Sequence, residues 1–263
     1  MSAFRERYGP WALVAGASEG LGEAFARQLA ARGLRLLLVA RRAGPLEALA
    51  AELRAAHGGE VRTAALDLGR PDLLAALEPH LAGLEIGLLV QNAAASALGP
   101  FLERPLEEHL AVLDVNCRAP LLLAHRLGRE MVRRGRGGIL LMSSLAGGQG
   151  NGWVVSYAAS KAFDTVLAEG LWAELGAAGV DVAACRAGVI LTPAYLATGP
   201  RGSVPALAPG PVAAAALAAL GRGPTAIAGR LNRLVAFVLA RLLPRRTAVG
   251  IMSRATRRLY TGS

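Results

Sequence analysis

The sequence predicts an α/β fold in which a doubly wound parallel sheet carries helices on both faces. Short apolar, β-rich runs alternate with longer segments of helical periodicity, the pattern of βαβ units. The chain has 263 residues, 53% of them apolar and 18% charged, which suffices for one large core and falls short of two full domains. The strands are expected near residues 11–15, 34–39, 61–65, 87–91, 138–142 and 180–185. Between them Glu19–Arg32, Pro45–His57, Pro71–Ala82, Leu106–Arg133 and Ser156–Ala178 carry apolar residues at three- and four-residue spacing and read as crossover helices. Thr192 to Pro211, rich in Pro, Gly and Ala, reads as an irregular loop or short-helical lid. Val212–Leu220 reads as a further helix and Thr225–Ala228 as a final edge strand.

Residues 1–229 are thus expected to form a single domain, with 230–263 as a basic amphipathic helical extension. Eleven of the 29 basic residues and none of the 19 acidic ones follow Asp181, so the net charge of +10 belongs to the tail. A near-neutral body with a basic tail does not imply nucleic acid. Within Arg230–Leu243, residues Arg230, Arg233 and Arg241 share one helical sector, and Leu231, Val235, Val238 and Leu242 another, with Pro244 as the stop. That length cannot cross a bilayer of about 30 Å. A subunit or intrachain contact and a peripheral membrane contact are the readings it leaves. Cys117 and Cys185 have no pairing or ligand pattern and are expected to be buried, inert thiols of a reduced compartment. Met1 to Pro10 contains no apolar stretch resembling a signal peptide, and a cytoplasmic location is the expectation. His57, His80, His109 and His125 share no ligand spacing; packing or surface roles are expected, and no metal.

The first strand runs into Gly16-Ala-Ser18-Glu19-Gly20-Leu21-Gly22 and then into a helix. Glycines at a strand-to-helix turn let the backbone approach a pyrophosphate, whose charge the free N–H groups of the helix start favour. This points to a Rossmann-type nucleotide site. The second strand ends without the carboxylate that binds a ribose 2′-hydroxyl; Arg41 and Arg42 follow instead. A guanidinium can pair with a 2′-phosphate and stack on adenine, so NADP(H) is expected ahead of NAD(H). Glu19 works against that choice. Asp67-Leu68, after the third strand, resembles the pair that brackets the adenine ring in such sites, although Asp at a strand end is also ordinary turn chemistry.

Ser156-Tyr157-Ala-Ala-Ser160-Lys161 opens a long helical pattern, and four-residue spacing puts Tyr157 and Lys161 on one face. An ordinary tyrosine titrates at about pH 10; a neighbouring ammonium favours the phenolate and turns the phenol into a usable acid/base. Ser144 ends the preceding strand, where its hydroxyl could polarise a carbonyl, while Ser143 points the other way and reads as a structural hydrogen-bonder. Asn116 falls mid-helix, where Asn needs a reason. Lys161 is the only lysine among the 29 basic residues. A compact, titratable ammonium is required there that arginine does not replace.

The spacing G-x-x-x-G-x-G, with Asn116, Ser144, Tyr157 and Lys161 in this order, resembles the short-chain dehydrogenase/reductase family over about residues 8–195. The resemblance implies reversible hydride transfer between a nicotinamide cofactor and a carbonyl or secondary alcohol, with the B-face of the ring toward the substrate. It implies that Asn116, Ser144, Tyr157 and Lys161 are catalytic, with Asn116 at a helix irregularity holding a water that relays protons to Lys161. Gln91-Asn92-Ala93-Ala94 stands where the family has N-N-A-G, so Asn92, Ala93 and Ala94 would brace the sheet and line the cofactor. Gly188, Val189, Ile190 and Thr192 would hold the nicotinamide amide and the phosphates. The basic strand exit and tail look like the branch that reduces ketones, hydroxysteroids and acyl groups, with a lipophilic carbonyl substrate and a homodimeric or homotetrameric assembly. Departures at Ala15, Ala94 and Ala187 leave open a silent nucleotide-binding scaffold, and Glu19 leaves open an NAD-dependent alcohol dehydrogenase.

Overall fold

The computed structural model of the protein describes residues 3–200 and 204–261. Residues 201–203 of the expected lid and the last two of the tail lie outside the described residues. A short helix α1 (Ala3–Tyr8) precedes a seven-stranded sheet. Its strands are β1 (Trp11–Ala15), β2 (Arg35–Ala40), β3 (Val61–Ala65), β4 (Ile86–Gln91), β5 (Gly137–Ser144), β6 (Val180–Ala187) and β9 (Thr225–Ile227). All pairings are parallel and the order is β3-β2-β1-β4-β5-β6-β9. Two two-residue strands, β7 (Val189–Ile190) and β8 (Ala206–Leu207), pair separately. This is the doubly wound Rossmann-type sheet expected from the apolar runs.

Side-chain alternation splits the core into two layers. From β1, Ala12 and Val14 face one layer with Phe25 and Leu29 of α2 (Gly20–Ala31) and Leu46 and Leu53 of α3 (Ala43–His57). Trp11, Leu13 and Ala15 face the other, with Leu73 and Leu77 of α4 (Leu73–Leu81) and Leu123 and Leu127 of α6 (Ala119–Arg134). Ala168, from α7 (Val155–Leu175), joins this second layer. β5 and β6 extend two residues beyond their expected ends, which carries Ser144 to the rim of the sheet.

The expected helix 106–133 is two helices: α5 (Leu106–Leu113) and α6, joined by a π-helical turn over Asp114–Arg118. Pro120 has no N–H to return to the carbonyl of Asn116, one turn back, and Ala119 N–H bonds to Asp114 O, five residues back. The expected lid contains α8 (Pro193–Ala197), capped by the Thr192 hydroxyl, and β8. After it, α9 spans Pro209–Leu217, starting three residues before the expected position.

The tail is helical on both sides of Pro244. α10 (Arg230–Phe237) continues through a π turn (Val238–Leu242), and Leu243 is extended before Pro244, as expected of a stop. The chain then forms a second helix, α11 (Arg245–Thr261), because Pro244 is disfavoured inside a helix but tolerated just before one. Among the described residues no helix is long and apolar enough to cross a membrane.

Candidate active site

A cleft of about 850 Å³ lies at the carboxyl ends of the strands, where the order reverses between β1 and β4. Its floor is the turn from β1 to α2. Gly16 has φ +81°, and a Cβ there would lie 2.7 Å from the Ala93 backbone. A Cβ on Gly22 would sit 1.8 Å from Gly16 O, so α2 rests directly on the turn. Asn92 Nδ2 donates to Gly16 O at 3.0 Å and Asn92 N–H to Ala15 O at 3.1 Å, tying the ends of β1 and β4 together. Ser18, Glu19 and Leu21 line the cleft beside Gly16; Gly20 and Gly22 do not, and a Cβ on Gly20 would lie 2.9 Å from Thr192 Cγ2.

Arg41 and Arg42 line the same end and are exposed. Arg42 is ion-paired with Glu19 at 2.5 Å, while Arg41 has no ion-pair partner among the described residues. Asp67 Oδ1 accepts the Gly69 N–H at 2.9 Å, the turn chemistry that was its alternative reading; with Leu68 it still borders the cleft. Ala93 and Ala94 form one wall, and Gly188, Val189, Ile190 and Thr192 the opposite one.

Toward the middle, Tyr157 and Lys161 stand one helical turn apart in α7, with Lys161 Nζ 5.9 Å from the Tyr157 ring centre. Nζ donates to Met142 O at 2.8 Å and to Asp164 Oδ2 at 2.9 Å. Burial works against the ammonium, but Asp164 and then Tyr157 outweigh it and hold Lys161 above its ordinary range. Ser144 faces the cleft and its hydroxyl accepts the Ala146 N–H at 3.1 Å. Ser143 donates to Lys161 O at 2.6 Å and lies 2.8 Å from the Thr165 hydroxyl, which locks β5 against α7.

Asn116 is buried in the π turn and does not line the cleft. Its amide accepts from Ala95 N–H at 2.7 Å and donates to Ala95 O and to the Ser160 hydroxyl, each at 2.9 Å. The side chain therefore clamps the segment after β4 to the helix that carries Tyr157. His109 is also buried, with Nε2 on Phe101 O at 3.0 Å and Nδ1 on the Ser156 hydroxyl at 2.9 Å. A carbonyl partner makes Nε2 the donor and leaves Nδ1 to accept. Val154 lines the cleft; Trp153 does not, and it takes φ +70°, a left-handed conformation that a bulky side chain rarely adopts. Burial pushes the Cys117 thiol up to about 11 and that of Cys185 to about 12, so neither is a thiolate at neutral pH.

Met252, Thr256, Leu259 and Tyr260 of α11 also line the cleft, and sequence reasoning missed them. Their helical spacing was a readable signal. Gly152 N–H donates to the Ser253 hydroxyl at 2.8 Å, Asn151 Nδ2 to the Thr256 hydroxyl at 3.0 Å, and Arg245 to Gly148 O at 2.8 Å.

Fold and site together define a nicotinamide-type oxidoreductase architecture. The short chain dehydrogenase family model matches residues 10–199, and the chain belongs to that family. It is 33% identical over 235 residues to 7beta-hydroxysteroid dehydrogenase from Collinsella aerofaciens, covering 87% of this chain and 89% of that protein. A solved structure of 7beta-hydroxysteroid dehydrogenase superposes with a TM-score of 0.89 at 30% identity, covering 95% of this chain and 98% of the other. A short-chain dehydrogenase from Sphingobium yanoikuyae in complex with NADPH gives 0.78 at 33% identity, covering 83% and 87%.

The hydrogen bonds from residues 151–152 to α11 each contribute about 0.5–1.5 kcal/mol. Ser253→Ala combined with Thr256→Val is expected to lower the melting temperature by a few degrees, roughly 2–4 °C per kcal/mol. Limited proteolysis of the native protein should then cut faster within 245–261, and an unchanged cleavage pattern would contradict this seating of α11.

Proposed function

We propose that this chain is an NADP(H)-dependent reductase of a lipophilic ketone, running the carbonyl–alcohol interconversion with Tyr157 as general acid/base. The observation that carries the reading is the continuity of one cleft. The Gly16 turn and Arg41, then Ser144, Tyr157 and Lys161, and the apolar Leu98, Val154, Met252 and Leu259 all line the same cavity. The relatives named for hydroxysteroid oxidation support a bulky, apolar substrate against that apolar group, and the NADPH complex of a neighbour supports the cofactor.

The residues fit a dinucleotide. A side chain at Gly16 would fill the space beside Ala93, and the turn leaves backbone N–H groups at the start of α2 for a pyrophosphate. Gly188 to Thr192 would hold the nicotinamide end. The bound cofactor supplies the hydride. Ser144 donates a hydrogen bond to the carbonyl oxygen and polarises it. Tyr157 delivers its proton to that oxygen, with the Lys161 ammonium one helical turn away in the same cleft. Asn116 acts on this group by fixing Ala95 and Ser160 in place. α11 and the 192–198 segment keep water from the reacting atoms.

With NADPH and a panel of bulky ketones, including oxidised steroids, Tyr157→Phe should lower kcat by about a hundredfold or more while leaving NADPH binding intact. Turnover unaltered by that substitution would defeat the mechanism.

A second cofactor reading draws on the Glu19–Arg42 pair. A carboxylate at this end of the cleft occupies one of the two arginines and could accept a hydrogen bond from an unphosphorylated ribose. Arg41→Ala with Arg42→Ala should raise the KM for NADPH about tenfold or more and leave that for NADH within about twofold, the scale of a lost charge-assisted pair. Equal effects on both cofactors would favour NAD(H).

Leu106 and Leu110 of α5 and Val166 and Trp172 of α7 are exposed apolar side chains, which supports a homodimer or homotetramer. Light scattering should give at least twice the chain mass of 27.1 kDa, and a monomer at micromolar concentration would refute the assembly. The tail's arginines leave peripheral membrane contact as part of the same proposal for a cytoplasmic enzyme.

A further inference from the structure

Lys161 and Asp164 form an ion pair in the interior, with side chains only 4% and 3% exposed and 2.9 Å between Nζ and Oδ2. A buried ammonium needs acceptors and an opposite charge around it. Lys161 has three N–H donors. One goes to Met142 O and one to Asp164, which leaves one for the cleft that Lys161 lines. The second oxygen of Asp164, Oδ1, is buried without a hydrogen-bond partner, so among the described residues the lysine alone compensates the carboxylate.

The elements packed on α7 bring little other charge to this pair. β5, β9 and the turn Leu145–Gly148 contain no titratable side chain. His109 of α5 binds Ser156, Arg186 of β6 lies against Gly148 in the field of Glu169, and Arg118 of the π turn pairs with Asp114. On α6, His125 and Arg129 are exposed and Arg126 pairs with Glu78. Asp181 of β6 pairs with Arg7, and Cys117 of the π turn and Cys185 of β6 stay neutral thiols.

We propose that Asp164 is a positioning residue for the reaction. Its carboxylate keeps the Lys161 ammonium charged and fixed against Met142 O, with one N–H presented to the cleft, and so sets the pH range in which the Tyr157–Lys161 unit exchanges protons. The inference rests on the reading of Tyr157 and Lys161 as the acid–base unit. Removing the carboxylate leaves an ammonium that can shed its charge but has no compensating group, and the phenol then loses its nearest cation.

The test uses the full chain with NADP+ and the steroid alcohol formed in the ketone panel. In Asp164→Asn the midpoint of the kcat–pH profile for alcohol oxidation should rise by about one unit or more, and kcat at pH 7 should fall about tenfold. The KM for the alcohol should stay within about twofold, and Asp164→Glu should restore most of the midpoint, since the charge is what matters. A midpoint that stays in place or moves to lower pH overturns the proposal. If Asp164→Asn does not fold, the double variant Lys161→Met/Asp164→Asn decides by thermal melting. Recovery of a cooperative transition supports charge compensation of Lys161, and a double variant as unstable as the single one overturns it. Tyr157→Phe is run in parallel. Activity retained there defeats the acid–base reading itself, whereas activity lost there with an unmoved Asp164→Asn profile defeats only the role of Asp164.

Discussion

The crevice between β1 and β4 is the constraint on which the site depends. β2 and β3 extend the sheet on one side of β1, and β4, β5, β6 and β9 extend it on the other, so the connections leave β1 and β4 toward opposite faces. At that fork the two backbones nearly touch, and Gly16 against Ala93 has no room for a side chain. Asn92 closes the fork by bonding Gly16 O. The same geometry exposes the N–H groups at the start of α2 to the cleft and leaves the ends of β5 and β6 as its second wall. Ser144 and Gly188 follow from those strand ends.

Against this rigid frame, α7 is held by polar groups as much as by apolar packing. Ser143 grips Lys161 O and Thr165, Asn116 grips Ser160, and His109 grips Ser156. These contacts sit within two turns of Tyr157 and come from three different elements. Buried polar groups are tolerated only when satisfied, so the set leaves the helix little freedom to rotate or slide. The proposed role of Tyr157, giving a proton to a carbonyl oxygen at a distance fixed within a few tenths of an ångström, needs that restraint. The Lys161–Asp164 pair belongs to the same shell.

Most of the frame was legible in the sequence, because strands buried on both faces announce themselves as apolar runs and crossover helices as three- and four-residue periods. The Gly16 turn and the Tyr157–Lys161 step were legible because each is a local motif on one element. What escaped is non-local. Asp164 looks like a polar residue in an amphipathic helix until the structure shows it buried beside Lys161. The clamp made by Asn116 needs Ala95 and Ser160, 21 and 44 residues away in the chain. Pro244 signals a stop equally well for a terminal helix and for a bend that sends α11 back over the cleft, and only the tertiary contacts to Asn151 and Gly152 distinguish the two.

The most direct measurement of the central claim is a crystal structure of the protein with NADP+ and a bound bulky ketone. The ketone oxygen is expected within about 3 Å of both the Tyr157 hydroxyl and the Ser144 hydroxyl, with the hydrophobic body of the ligand against Val154, Met252 and Leu259. A ketone whose oxygen lies away from both hydroxyls, or a cofactor seated outside the Gly16 turn, would contradict it.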